Sequence, residues 1–219
     1  MNDTSIIFAH PGFVELAPKI WVIKNFLTEE ECAPFVEAGD NATEEEWNLE
    51  PNRNAWFVGK VLNVSEKVSA EAISTANQKF RNLFTKKDEY TYGSGVEFMR
   101  RLRPDQEMYF HSDFPEIDKL DPNDPALKSP DDFVLFNSTV NFNDFEGGEL
   151  DFPEFDLIYK PERGDLVMLP GTRRYKHRVL PVTGTVTRYT ATFWTADSFG
   201  MELKVSGSSL NLGLSDRYQ

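Results

Sequence analysis

Cysteine and long apolar runs are what this 219-residue chain has least of. Its one cysteine, Cys32, excludes a framework of intrachain disulfides. No stretch of about 18 consecutive apolar residues occurs, so the sequence predicts no membrane-spanning helix and no membrane partner. The first ten residues lack the basic, apolar and small-residue order of a signal peptide. We therefore expect a soluble, cytoplasmic protein.

Positive charge is also scarce. Lys and Arg number 23 against 36 Asp and Glu, which gives a net charge of −13. A surface this acidic repels phosphate backbones, so we expect no nucleic-acid partner. Eighteen Phe and four Trp supply enough apolar surface to offset the entropy cost of ordering the chain. We expect a single domain spanning residues 1–219, with the functional motifs within about 90–196. The sequence predicts no particular oligomeric state.

Two helices are predicted in the N-terminal third. Thr28 and Glu31 have the spacing of a capping box, so a helix is expected to run from there to about Ala38 and to end at Gly39. Ser69 is the expected N-cap of a second helix. The apolar stripe of that helix comprises Ile73, Ala76, Phe80 and Phe84.

From about Tyr90 onward the pattern is that of short strands separated by glycine and proline turns. Gly147 and Gly148 are expected to form a turn that needs positive φ angles. This order predicts a mostly β fold, a jelly roll, with both helices packed on one face of a sheet. The predicted strands are Val96–Leu102, Phe133–Phe142, Leu166–Leu169, His177–Val182 and Arg188–Trp194.

The chain has only three histidines, and two of them stand where a metal could be bound. His111 and Asp113 are two residues apart, so on a strand both side chains point to one face. His177 begins another predicted strand. Two histidines and one carboxylate are the ligand set of the facial triad that holds non-haem iron(II). The alternative, from these residues alone, is that the histidines are structural, because an H-x-D triplet is common by chance.

Seven motifs stand in one order between residues 18 and 196, and this order weighs against chance. They resemble the prolyl 4-hydroxylase-like branch of the 2-oxoglutarate and iron(II)-dependent dioxygenases. The motifs are KIWVIKNFLTEEEC at 19–32, HSD at 111–113, FNDFEGGEL at 142–150, KP with GDLV at 160–167, HRVLPV with a glycine at 177–184, RY at 188–189 and Trp194.

The resemblance implies a double-stranded β-helix, which is a form of jelly roll. It also implies that His111, Asp113 and His177 hold Fe(2+), that 2-oxoglutarate chelates this iron, that O2 is the oxidant, and that ascorbate is a further cofactor. The far carboxylate of 2-oxoglutarate needs a cationic, preferably bidentate partner. Arg188 is the candidate for this partner, with a surface strand arginine as the alternative, and Asn141 is a second hydrogen-bond donor.

Strand alternation around Arg188 predicts which neighbours line the cosubstrate pocket. Thr190, Thr192 and Trp194 share the face of Arg188. Tyr189, Ala191 and Phe193 share the opposite face. We expect the first set to line the pocket, with Trp194 as a wall of the iron site; alternatively the threonines are merely strand formers. Tyr109 is a further pocket candidate.

Several substrate-side positions depart from the family pattern, so the substrate is less well predicted than the chemistry. Tyrosines and an arginine that family members often carry are replaced here by Arg101 or Leu102, Met108, Val134 and Asn141. The expected reaction is hydroxylation of a C–H bond with succinate and CO2 as coproducts, foremost the 4-hydroxylation of a prolyl residue in a peptide or protein. The alternatives are the same chemistry on a free amino acid or another small molecule, and a non-catalytic jelly-roll binding module.

Two long loops are expected to border the substrate groove. These are residues 44–62 and the proline-rich residues 114–132. A groove between them suits an extended, proline-rich segment. The second loop leaves directly from Asp113 and is acidic. We expect it to close over the substrate, where its negative charge would favour a neutral or basic substrate.

Overall fold

The computed structural model describes residues 10–48, 59–84, 90–92, 95–113 and 135–197. In this part of the chain the helices are α1 (Glu29–Asn41) and α2 (Ala70–Asn82). The first strands are β1 (Phe13–Ala17), β2 (Ile20–Ile23), β3 (Lys60–Asn63), β4 (Tyr90–Tyr92), β5 (Phe98–Leu102), β6 (Met108–His111) and β7 (Leu135–Asn141). The later strands are β8 (Glu146–Gly147), β9 (Leu150–Phe152), β10 (Leu157–Tyr159), β11 (Leu166–Pro170), β12 (His177–Val179), β13 (Val182–Thr183) and β14 (Arg188–Asp197).

The strands form a large and a small sheet that pack face to face. The large sheet has the order β1-β2-β11-β7-β14-β5-β3, with β4 also pairing with β14. The small sheet has the order β10-β9-β12-β6, and β13 pairs with β8 as a short ribbon. Strand pairing is antiparallel in both sheets and in the ribbon. The predicted mostly β, jelly-roll fold is therefore confirmed.

Two hydrophobic cores lie on the two faces of the large sheet. Ile20 and Val22 of β2 point to the inner core between the two sheets, whereas Trp21 and Ile23 point to the outer core beneath the helices. Because both faces are covered, all four residues of β2 are buried and the strand shows no polar alternation. The two helices enter the outer core through Phe35, Ala38, Ala76 and Phe80. The predicted packing of both helices on one sheet is therefore confirmed.

Both helices begin where the sequence predicts. The Thr28 hydroxyl accepts a hydrogen bond from the Glu31 backbone N–H at 3.3 Å, and the Glu31 carboxylate accepts one from the Thr28 N–H at 2.8 Å. The capping box is thus complete. The Ser69 hydroxyl accepts a hydrogen bond from the Ala72 N–H at 3.2 Å, which caps α2.

The predicted end of the first helix is wrong. The helix α1 continues to Asn41, so Gly39 lies inside it rather than beyond its end. A Cβ atom at Gly39 would lie 2.8 Å from the ring of Tyr189 on β14. The glycine therefore allows α1 to approach the sheet closely, and it does not serve as a helix terminator.

The predicted strand His177–Val182 is divided in two. Strand β12 ends at Val179, and β13 begins at Val182 against the separate strand β8. Pro181 lies between them and has no N–H group for a ladder. The predicted turn is confirmed, since Gly147 and Gly148 have φ angles of 63° and 66°. The predicted loop 114–132 and residues 49–58 of the other loop lie outside the described residues. The predicted end of that other loop at residue 62 is wrong, because β3 begins at Lys60.

Neither α1 nor α2 has the length and apolar character needed to span a membrane, and no other helix within the described ranges has them.

Candidate functional site

The three candidate iron ligands converge on the inner face of the small sheet. His111 on β6 and His177 on β12 are direct partners across the strand pair, with ring centroids 4.5 Å apart. Asp113 follows β6, and its Oδ1 lies 3.7 Å from His111 Nε2. One ligand atom from each of the three residues lies within 4.8 Å of the others. The structure thus brings together the three residues that the sequence singles out.

A β-bulge gives His111 its direction. Val179 pairs with Met108 and His177 pairs with His111, so residues 109 and 110 of β6 stand opposite the single residue 178 of β12. Without the extra residue, Met108 and His111 would point to opposite faces. With it, Met108 packs against the inner core and His111 is also buried. The bulge therefore turns the imidazole of His111 toward His177.

Backbone carbonyls set the tautomers of both histidines. His111 Nδ1 lies 2.7 Å from the carbonyl oxygen of Tyr109, and His177 Nδ1 lies 3.0 Å from that of Tyr175. A carbonyl oxygen can only accept, so each Nδ1 carries a proton, and in the neutral form of each ring it is Nε2 that offers the lone pair. Such second hydrogen bonds are what orients metal-ligating imidazoles.

The protonation of the site suits a cation. Burial, together with the neighbouring His177, lowers the pKa of His111 to about 4 against the attraction of Asp113, so this imidazole is neutral at physiological pH. Asp113 Oδ2 is buried and makes no hydrogen bond to the described residues. A buried carboxylate oxygen without a donor is costly unless a cation or ordered water satisfies it. Two imidazole nitrogens and one carboxylate fit iron(II).

The candidate cosubstrate residues lie on the inner face of the large sheet. Arg188 is 3% exposed, and its Nε and Nη2 donate to Asn141 Oδ1 at 3.2 and 3.0 Å. Within the described residues no carboxylate bonds this guanidinium, and Glu149 attracts it only at longer range. Burial lowers the pKa of Arg188 to about 10, which still leaves it charged at neutral pH. The Asn141 amide nitrogen is buried without a partner there. A buried cation beside an unused donor suits a carboxylate ligand.

The predicted alternation along β14 is confirmed. Tyr189, Ala191 and Phe193 all belong to the outer core, so Arg188 and Thr190 face inward. Thr190 is 8% exposed. The backbone of Trp194 pairs with Asn137, and its side chain lies outside the described part. Tyr109 lies within the bulge, and its side chain is 50% exposed.

Sequence reasoning missed two residues near this site. Arg100 of β5 is paired with Thr190, and its Nη1 donates to the Thr192 hydroxyl at 2.6 Å. Phe145 places its ring centroid 5.1 Å from Arg188 Cζ. The motif at 142–150 contains Phe145 without indicating its contact with Arg188, and the contact of Arg100 depends on the pairing of β5 with β14.

Comparison with known proteins agrees with this geometry. The model of the 2OG-Fe(II) oxygenase superfamily matches residues 97–196. No curated protein matches the chain.

Three solved structures show the likeness of fold. A viral collagen prolyl hydroxylase from Paramecium Bursaria Chlorella virus-1 is 22% identical, with 83% of this chain and 97% of that chain covered and a TM-score of 0.54. A prolyl hydroxylase from Trichoplax adhaerens, in complex with a hypoxia inducible factor peptide fragment, is 17% identical, with coverages of 87% and 88% and a TM-score of 0.63. A prolyl-4-hydroxylase from Pseudomonas putida is 14% identical, with coverages of 82% and 92% and a TM-score of 0.53.

The matched segment contains His111, Asp113, His177 and Arg188. The chemistry of this superfamily uses Fe(2+), 2-oxoglutarate and O2. Residues 97–196 therefore belong to the 2OG-Fe(II) oxygenase superfamily, and the protein is a 2-oxoglutarate-dependent dioxygenase.

Proposed function

We propose that this dioxygenase hydroxylates a prolyl residue of a peptide or protein at C4, with succinate and CO2 as coproducts. In this proposal His111, Asp113 and His177 hold the iron, and Arg188 with Asn141 holds the far carboxylate of 2-oxoglutarate. The observation that carries it is the convergence of three ligand atoms within 4.8 Å, each imidazole presenting its Nε2. Bound iron supplies the activation of O2 that couples decarboxylation of 2-oxoglutarate to oxygen insertion into a C–H bond.

The protein residues have separate tasks in this reaction. The carbonyls of Tyr109 and Tyr175 hold the imidazoles in one orientation. Phe152, whose ring centroid is 5.3 Å from that of His177, is fully buried and keeps the inner side of the site dry. Arg188 anchors the cosubstrate at the end away from the iron, so that the keto acid enters in one direction.

Two observations support a peptide substrate. The solved structures of similar fold include prolyl hydroxylases, one of them with a bound peptide. Tyr109, which is 50% exposed, presents an aromatic ring on β6, the strand that carries His111. Extended proline-rich segments dock on aromatic surfaces.

A small-molecule substrate is the second candidate, and the substrate-side differences favour it. Leu102 is 3% exposed and belongs to the inner core. The Arg101 guanidinium binds the Glu44 carboxylate at 2.9 and 2.8 Å and lies 4.5 Å from the ring of Trp47. Neither residue therefore replaces a substrate-facing tyrosine. Mass spectrometry of products from proline-containing peptides and from free amino acids separates the two candidates: oxidation of free amino acids alone would reject the peptide.

The variant Asp113→Ala tests the ligand assignment. Removing a direct ligand is expected to abolish turnover and to weaken Fe(2+) binding by more than about 100-fold. The matched control is Asp144→Ala, which removes an exposed carboxylate that pairs with Arg163 and should leave both quantities unchanged. Anaerobic titration with iron(II) and 2-oxoglutarate measures binding directly through the visible charge-transfer band. Full activity of Asp113→Ala would overturn the assignment.

A further inference from the structure

The ring of Phe145 lies close to two cations, one of them Arg188 at the proposed cosubstrate end of the site. Its ring is 7% exposed and follows β7 in the loop that leads to β8. The centroid of this ring is 5.1 Å from Cζ of Arg188 and 3.7 Å from Nζ of Lys160. Both distances are within the range of a cation–π interaction.

The turn at Gly147 and Gly148 packs against this ring. Gly148 has a φ of +66°, and a Cβ atom there would lie 2.9 Å from Cε2 of Phe145. Only a glycine at this position lets the turn approach the ring so closely. The Lys160 ammonium donates to the carbonyl oxygen of Gly147, which ties it to the same turn. The glycine pair therefore shapes the cosubstrate end of the site as well as the turn.

The ring and Asn141 act on different parts of the Arg188 guanidinium. Asn141 Oδ1 accepts in-plane hydrogen bonds from Nε and Nη2. The aromatic ring attracts the delocalised charge as a whole. With both contacts present, the guanidinium keeps one orientation. The N–H groups it does not use on Asn141 then remain for a ligand, beside the buried Asn141 amide nitrogen that has no partner in the described part of the chain.

We propose that Phe145 is a positioning residue for 2-oxoglutarate, acting through Arg188. The ring orients the guanidinium so that the far carboxylate of the cosubstrate meets a prearranged set of donors. This inference rests on the proposed role of Arg188 and goes beyond it, because it assigns to Phe145 the orientation of that guanidinium.

The test compares two keto acids on protein loaded with Mn(II), so that binding is measured by calorimetry without turnover. 2-Oxoglutarate carries the far carboxylate, whereas 2-oxobutanoate has the same chelating end without it. In Phe145→Leu we expect the affinity for 2-oxoglutarate to fall about tenfold, which is the usual size of a partly buried cation–π interaction, and that for 2-oxobutanoate to stay unchanged. Phe145→Met fills the same volume without a ring and should show the same loss of affinity for 2-oxoglutarate as Phe145→Leu. Phe145→Tyr should retain wild-type affinity.

The matched control is Phe155→Leu. Phe155 packs against the inner core and stacks on Tyr175, with centroids 5.3 Å apart. This change also removes a ring but should leave both affinities unaltered. Equal weakening of both keto acids in the Phe145 variants would indicate a merely structural role and overturn the inference. Unchanged affinity of the Phe145 variants for 2-oxoglutarate would also overturn the inference.

Failure of the underlying assignment is visible separately. Wild-type protein should prefer 2-oxoglutarate over 2-oxobutanoate, and Arg188→Gln should remove that preference. If Arg188→Gln keeps the preference, the role of Arg188 is wrong and the inference about Phe145 is wrong with it. If Arg188→Gln removes it and Phe145→Leu does not reduce it, only the inference about Phe145 fails.

Discussion

His111 carries the clearest electrostatic signature among the single residues of the site. Its burial and its neighbour His177 keep the imidazole neutral in the folded protein, with a pKa of about 4 against an ordinary 6.5. A neutral, oriented imidazole binds a metal without first losing a proton. The same shift makes the stability of the metal-free protein depend on pH.

The direction of this dependence follows from the depressed pKa. Above pH 6.5 His111 is neutral in both the folded and the unfolded chain, so its contribution to stability is fully present. As the pH falls toward 4 the unfolded chain binds the proton first, and up to about 3 kcal/mol is lost. Urea unfolding of metal-free protein at pH 7.5 and pH 5 should show about 2 kcal/mol of this loss. In His111→Gln the drop should be smaller; equal drops would contradict the prediction.

At the scale of elements, Asp165 connects three segments. Its carboxylate, 1% exposed, accepts hydrogen bonds from Lys24 Nζ at 2.8 Å, the Tyr159 hydroxyl at 2.8 Å and the Glu162 N–H at 3.0 Å. These donors stand just after β2, at the end of β10 and in the turn before β11. Burial and this carboxylate raise the pKa of Tyr159, which therefore remains a donor.

Asp165→Ala should lower the free energy of unfolding by about 2–4 kcal/mol, because three part-buried donors lose a buried acceptor that they share. Denaturant titration measures the loss. The matched control is Glu162→Gln, on the carboxylate that binds the same lysine at 2.6 Å but is 69% exposed. That change should stay within about 0.5 kcal/mol. A similar effect of the two variants would show that burial of Asp165 does not matter.

At the scale of the whole molecule, the large sheet separates the helices from the site. Phe35 of α1 stacks on Phe142, with ring centroids 4.3 Å apart, in the outer core. Phe152 lies in the inner core, with its ring centroid 5.3 Å from that of His177. Both rings are fully buried, so they form a matched pair.

Phe35→Ala and Phe152→Ala should each cost about 3–5 kcal/mol of stability, since each leaves a cavity. Only Phe152→Ala is expected to weaken metal binding, because only that ring supports a ligand. Metal titration well below the unfolding temperature, alongside denaturant unfolding, checks both statements. Loss of metal affinity in Phe35→Ala at that temperature would contradict the separation of the two cores.

The sequence by itself determined the features that depend on local period and spacing. The helix starts at Thr28 and Ser69, the turn at Gly147 and the alternation along β14 are all properties of neighbouring residues. The spacing of His111 and Asp113 is of the same kind. Motif order, read over most of the chain, indicated the chemistry.

Only the tertiary structure decided the features that depend on which strands and loops meet. The bulge at residues 109–110 arises from the pairing of β6 with β12, and it turns His111 inward. Gly39 serves the contact of α1 with Tyr189, and Phe145 reaches Arg188 from a loop. The physical reason is that hydrogen-bond register and close packing join residues far apart in the chain, where no local pattern records the partner.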